Sequence, residues 1–99
     1  MLFMETWKGE HDRWLATLQY WSSLTPEQRA DLGEGLTLVG RWHDLAARRG
    51  VAIVEAADAM AVQRYSAHWS PYMDVDITPV VEDEESAVLA AEVVAAQTV

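Results

Sequence analysis

The order of strand-like and helix-like patterns along the chain constrains its fold most strongly. Alternating or β-branched apolar runs between turn residues indicate strands, and apolar residues three or four apart indicate helices. Strands are predicted over residues 1–7, 36–43, 51–56 and 72–81, and helices over residues 10–24, 25–33, 58–71 and 83–96. This order is typical of a ferredoxin-like α+β fold, a βαββαβ arrangement with a four-stranded antiparallel sheet and an added C-terminal helix.

Length and charge exclude several classes of protein. A chain of 99 residues predicts one domain, 1–99. Its acidic net charge of −9 disfavours nucleic acid and anionic membranes as partners. Because there is no apolar run of membrane-spanning length and no basic segment at the N-terminus, we expect a soluble, cytoplasmic protein. The absence of cysteine excludes disulfides and thiolate metal sites.

The two faces of the predicted sheet differ in character. We expect the helices to cover one face, with Leu2, Met4 and Trp42 packed beneath them together with the small apolar residues of the third and fourth strands. The other face mixes large apolar and ionisable residues and is left open. Large exposed apolar patches are rare on monomers, and five tryptophans are many for such a short chain. We therefore predict a homodimer that packs sheet on sheet.

Candidate site residues are predicted on this open face. His43 is the candidate catalytic base, because an imidazole near a carboxylate can accept a proton at neutral pH, and Arg41 is expected to lie diagonal to Glu55. The alternative is that His43 only forms a hydrogen bond across the dimer interface. A metal site is not predicted. The candidate ligand-binding residues are Phe3, Glu5, Trp7, Arg41, His43, Glu55, Asp74 and Asp76.

One resemblance to a known family is carried by the segments MLFMETW, GRWHDLAARRGVAIVEAAD and HWSPYMDVDITPVVEDEE. They resemble a bacterial family of short proteins of unknown function with a shared RWHD element, which is similar to the dimeric α+β barrel superfamily. That resemblance implies two facing sheets and a dimer. Haem-degrading relatives use an asparagine on the first strand, where this chain offers Glu5 or Thr6. No cofactor is therefore expected, and haem is a lesser candidate.

Three hypotheses for function remain open at this point. The first is a homodimer that binds a small apolar or aromatic molecule in a pocket that lies either between the sheet and the helices or between the two sheets. The second is a cofactor-independent monooxygenase- or isomerase-like enzyme that acts on an aromatic or ketone metabolite. The third is a non-catalytic structural dimer whose open face is filled by side chains. The fold alone does not choose among them, because one fold hosts many functions.

Overall fold

The computed structural model describes residues 1–98 of the chain and confirms the predicted order of elements. A short 3-10 turn, His11–Arg13, precedes the first helix. The strands are β1 (Leu2–Gly9), β2 (Leu36–Asp44), β3 (Arg49–Ala56) and β4 (Met73–Val80), and the helices are α1 (Trp14–Ser23), α2 (Pro26–Ala30), α3 (Ala59–Trp69) and α4 (Asp83–Gln97).

The four strands form one antiparallel sheet in the order β2-β3-β1-β4. This is the α+β, ferredoxin-like arrangement that the sequence predicts. Pro79 of the edge strand β4 stays in register opposite Phe3. An edge strand tolerates proline, since its outer side needs no hydrogen-bond donor.

Local sequence signals fix where two helices begin. Thr25 caps α2 in a capping box, in which its hydroxyl accepts from the Gln28 backbone N–H and the Gln28 side chain accepts from the Thr25 backbone N–H. Asp58 caps α3 by accepting from the Ala61 backbone N–H. The position of α3 matters for the site, because its inner side carries Ser66.

The hydrophobic core lies between the sheet and the helices. Phe3 of β1 and Val54 of β3 are paired neighbours and are both buried. Val62 of α3 and Leu32 of the connection after α2 pack on them, and Ala56 completes the cluster. Burial of these side chains anchors α3 over the centre of the sheet.

The faces of β1 and β2 differ from the prediction. Phe3 and Glu5 of β1 face the helices and are buried, so Leu2 and Met4 lie on the open face instead. A break in the β2–β3 register between Leu38 and Gly40 makes Val39 an extra residue.

That bulge reverses the alternation in the second half of β2. Arg41 pairs with Ala52 and His43 with Gly50, which places both side chains on the helix side of the sheet, with Arg41 half-buried and His43 exposed. Trp42 lies on the open face and is 61% exposed, so its expected place beneath a helix was wrong. The expected pairing of Arg41 with Glu55 was also wrong, because Glu55 binds the N-terminal amine of Met1.

Candidate functional site

Small residues of β3 form the floor of a cavity on the helix side of the sheet. Ala52 separates Arg41 of β2 from Glu5 of β1 in one row across three strands. In the neighbouring row, Gly50 separates His43 from Trp7. Because these two β3 residues occupy little space, the larger side chains on either side of them converge above the sheet.

Tryptophans dominate the walls of this cavity, whose volume is about 50 Å³ and which is partly open to solvent. It is enclosed by β1, β2, β3, α1 and α3. The space suits a few water molecules or the head of a small ligand. Its lining includes the aromatic residues Trp7, Trp14, Trp21, Tyr65 and Trp69, together with Glu5, Arg41 and His43. A mostly apolar lining with a few convergent polar groups is typical of small-molecule sites.

Glu5 is the most unusual residue of the cavity, because this ionisable residue is only 4% exposed. Its Oε2 accepts a hydrogen bond of 3.0 Å from the Ser66 hydroxyl. Burial raises the pKa of Glu5 above its ordinary value, while the Ser66 hydrogen bond and the charge of Arg41 act in the opposite direction. A raised pKa favours the neutral acid, which can donate a hydrogen bond to a bound molecule.

His43 sits between two tryptophans. Its ring centroid lies 5.5 Å from that of Trp7, with the rings edge to face, and 5.3 Å from that of Trp21. Partial burial lowers the pKa of the imidazole, and the positive charge of Arg41 lowers it further. Because its pKa lies below the ordinary value of 6.5, the ring favours its neutral form at physiological pH, and this form has a nitrogen free to accept a proton.

Arg41 supplies the positive charge. Its guanidinium carbon lies 4.7 Å from the centroid of Trp21, a cation–π arrangement, and its Nη2 donates to the backbone oxygen of Arg29 at 2.9 Å. Burial also raises the pKa of the Tyr65 phenol, although the charge of Arg41 opposes this change. The Tyr65 phenol therefore stays neutral and able to form hydrogen bonds.

Four of the predicted site residues meet in this cavity, namely Glu5, Trp7, Arg41 and His43. They meet on the helix side of the sheet and not on the open face where they were expected. The structure places the other four elsewhere. Phe3 is in the core, Glu55 is at the N-terminal amine, and Asp74 and Asp76 are exposed on β4.

Sequence reasoning missed the contribution of the helices to the site. The helical spacing of Trp14 and Trp21 is explained by packing in the core alone, yet both line the cavity beside Tyr65 and Trp69. Nothing in the sequence around Ser66 indicates a role in the site. Its role depends on the buried carboxyl of Glu5, 61 residues earlier in the chain.

A comparison with known protein families assigns the chain to one of them. A family model described as a domain of unknown function, DUF3303, matches residues 1–94. The chain belongs to this family. The DUF3303 match covers all four strands and every residue that lines the cavity. No curated protein matches the chain. The function of this DUF3303 protein must therefore be argued from its own residues.

Within residues 1–98, no group of three or more His, Asp or Glu side chains is arranged to hold a metal ion. The helices of the same range include none that is long and apolar enough to cross a lipid bilayer.

Proposed function

We propose that this protein is a homodimer that binds a small aromatic or apolar molecule in the tryptophan-lined cavity. The observation that carries the proposal is the buried residue Glu5, held in a row with Arg41 inside a cavity that is otherwise lined mainly by aromatic and aliphatic side chains. Burying an ionisable group is unfavourable for folding. Its presence where a purely structural core would hold an apolar residue supports a role in binding.

The cavity favours a ligand with a flat ring and one polar group. The rings of Trp7 and Trp21 offer stacking or edge contacts to an aromatic molecule. Arg41 offers hydrogen-bond donors, which suit a carbonyl, hydroxyl or carboxylate oxygen, and the Glu5 carboxyl offers an acceptor or, when protonated, a further donor. With about 50 Å³ of space, the polar head enters the cavity and the rest of the ligand extends toward its open side.

Binding can be tested by native mass spectrometry against phenols, quinones, lactones, aromatic 2-oxo acids and haem. For each compound that binds, isothermal titration calorimetry then compares Arg41→Met with Arg64→Met. Arg64 is exposed on α3 and does not line the cavity, so it is the matched control. We expect a loss of about tenfold or more in affinity for Arg41→Met, since hydrogen bonds to charged groups contribute about 1.5–3 kcal/mol. Equal affinities would place the ligand outside this cavity.

The open sheet face supports the dimer. Its centre holds the paired neighbours Met4 and Ile53, with Val51 on the same strand as Ile53, while Trp42 lies on the edge strand β2. Charged residues form a row across one end of this face, namely Asp44, Arg49, Lys8 and Asp74. An apolar centre with a polar rim is the usual anatomy of a protein interface. The resemblance to dimeric α+β barrels supports the same arrangement, in which two such faces meet.

Light scattering tests the dimer directly. At tens of micromolar we expect a mass of twice the 11.1 kDa chain. A monomer at that concentration would contradict this part of the proposal and would leave binding at the cavity of each chain to be judged by calorimetry. A dimer without any ligand would favour the third hypothesis, a structural dimer.

One observation favours the cofactor-independent enzyme as a second candidate. His43 and Glu5 line the same cavity, and their pKa values are displaced in opposite directions, so that an imidazole favouring its neutral form and a carboxyl that holds its proton more tightly face one space. Such a pair can move a proton from a carbon beside a ketone while donating a hydrogen bond to its oxygen. An isomerase assay with ketone substrates, repeated with His43→Ala, tests this candidate. Turnover that survives the substitution would contradict His43 as base.

A further inference from the structure

Helix α4 stands away from the rest of the protein. All fifteen of its residues are exposed, from Asp83 to Gln97. The molecule measures 57 Å along its longest axis but only 28 Å and 20 Å across. A helix of this length is about 22 Å long, so an arm of this size accounts for much of the elongation.

The composition of α4 does not suit an exposed helix. Its acidic residues lie in the first turn, apart from Glu92, and the remainder, except for Ser86 and Gln97, is alanine, valine and leucine on every side. Val88, Leu89, Val93 and Val94 are each more than half exposed. A helix that is apolar all round is normally buried, and an isolated helix of about 15 residues is only marginally stable in water. Some surface must therefore cover α4.

The area of the open sheet face indicates that a second copy provides this surface. Four strands of about eight residues span roughly 19 by 26 Å, or about 500 Å². A stable interface needs about 800 Å² from each partner. One side of α4 adds about 350 Å², and in a twofold dimer each chain both gives and receives one such helix. Together these surfaces exceed the requirement, whereas the sheet face alone falls short of it.

Trp42 lies on the part of the open sheet face where α4 of a second chain can pack. Its indole covers Gly40 on the open face, where an added Cβ would lie 3.1 Å from Cζ2 of the Trp42 ring. The other four tryptophans line the ligand cavity on the opposite side of the sheet. Val39, the extra residue of the β2 bulge, is 62% exposed nearby. The two form an apolar patch at the edge strand β2, on the side of the sheet left uncovered within residues 1–98.

We propose that α4 of each chain packs on a second copy of the protein, against Trp42 and Val39 of the open sheet face. This inference rests on the proposed homodimer and identifies α4 as a helix through which its two chains contact each other. Packing there buries the valines of α4 and the Trp42 indole together. It also places one chain's C-terminal helix over the other chain's β2 strand, reciprocally.

Crosslinking tests where α4 lies, and the chain has no cysteine to interfere. Val93→Cys is labelled with benzophenone maleimide, and ¹⁵N-labelled and unlabelled chains are mixed before illumination. We expect a product of twice 11.1 kDa in which α4 of one isotope is joined to a peptide containing Val39 or Trp42 of the other. Crosslinks confined to one chain, or to other peptides of the second chain, would overturn the inference.

A charge in α4 provides the second test. Val93→Glu should weaken the dimer by about tenfold or more, because it buries an unpaired carboxylate at the interface. Met60→Glu is the control, since Met60 on α3 is equally exposed in one chain and lies away from the proposed contact. Analytical ultracentrifugation measures both. Equal dimer affinity of the two variants would overturn the inference.

Hydrogen exchange distinguishes the proposed homodimer from the proposed contact of α4 with the second chain. We expect the α4 amides to be protected at dimer concentrations and to lose this protection on dilution. A dimer by light scattering with unprotected α4 amides would overturn the role of α4 and leave the homodimer intact. A monomer at every concentration would overturn both.

Discussion

The Trp7 indole lies over Gly50 of the neighbouring strand, in the space that any side chain at position 50 would occupy. From this position Trp7 meets His43 edge to face across β3. The missing side chain of Gly50 thus lets residues from β1 and β2, which β3 separates, form one wall of the cavity. The shape of the site depends on a residue that contributes no side chain to it.

Gly50→Ala is therefore expected to disturb the cavity and destabilise the protein. The new Cβ would overlap the Trp7 ring and would lie 2.7 Å from the backbone oxygen of Trp42. Alanine is ordinarily better than glycine in a strand by about 0.5–1 kcal/mol, but overpacking of this kind costs about 1–3 kcal/mol. Urea denaturation should show a net decrease in the free energy of unfolding, and near-ultraviolet circular dichroism should report a displaced tryptophan.

A double-mutant cycle checks whether overlap with the Trp7 ring causes the loss of stability in Gly50→Ala. With Trp7→Ala already present, Gly50→Ala should decrease the free energy of unfolding less than it does in the parent protein, because part of the overlap has been removed. Purely additive effects would contradict the contact between the two residues as the source of the loss.

Ser66→Ala should destabilise the protein through Glu5. The substitution leaves the buried Oε2 of Glu5 without its hydrogen bond, a loss of about 1–3 kcal/mol in the free energy of unfolding. Ser70→Ala is the matched control, since that hydroxyl donates to the Ala67 backbone oxygen at the exposed end of α3. Denaturation curves of equal midpoint for the two variants would contradict the structural role of the Ser66–Glu5 pair.

Stability should depend on pH through Glu5. Its pKa in the folded protein is raised above the ordinary 4.5, so the folded state holds this proton more tightly than the unfolded state. The contribution of the neutral acid is fully present below pH 4.5 and is lost as pH rises through the raised pKa. Glu5→Gln mimics the neutral acid and should increase the free energy of unfolding at pH 7 relative to the parent, but not at pH 4.

Glu34→Gln serves as the control for this pH series, because Glu34 is an exposed carboxylate in the connection before β2. Urea titrations between pH 4 and pH 8 give the difference between variant and parent at each pH. A difference for Glu5→Gln that stays constant across the series would contradict the raised pKa.

The order of elements could be predicted from sequence because each signal is local. The Thr25 capping box, the Asp58 cap and the helical spacing in residues 10–24 act over a few residues and do not depend on the rest of the fold. The shared face of Glu5, Trp7, Arg41 and His43 also followed from alternation along β1 and β2. Only the side of the sheet that carries this face was assigned wrongly.

That error has two physical sources. Both alternating sets of β1 are largely apolar, and the charge of Glu5 favoured the exposed assignment, although Ser66 makes burial of this carboxyl tolerable. On β2, the bulge at Val39 reverses the alternation after Leu38, and its position depends on pairing with β3. Neither the distant hydrogen bond nor the pairing register is visible in the local sequence.

His43 should titrate below the ordinary imidazole pKa of 6.5, because partial burial and the nearby charge of Arg41 both disfavour the protonated ring. Its contribution to stability is present above pH 6.5 and is lost as pH falls through the lowered pKa, since the unfolded state then binds the proton more tightly. Proton NMR of the imidazole Cε1–H, assigned with His43→Gln, measures this pKa. Arg41→Met should move it upward by removing the positive charge, while Arg64→Met should leave it unchanged. A His43 pKa at or above 6.5 in the parent protein would contradict the lowering of this pKa by burial and by the charge of Arg41.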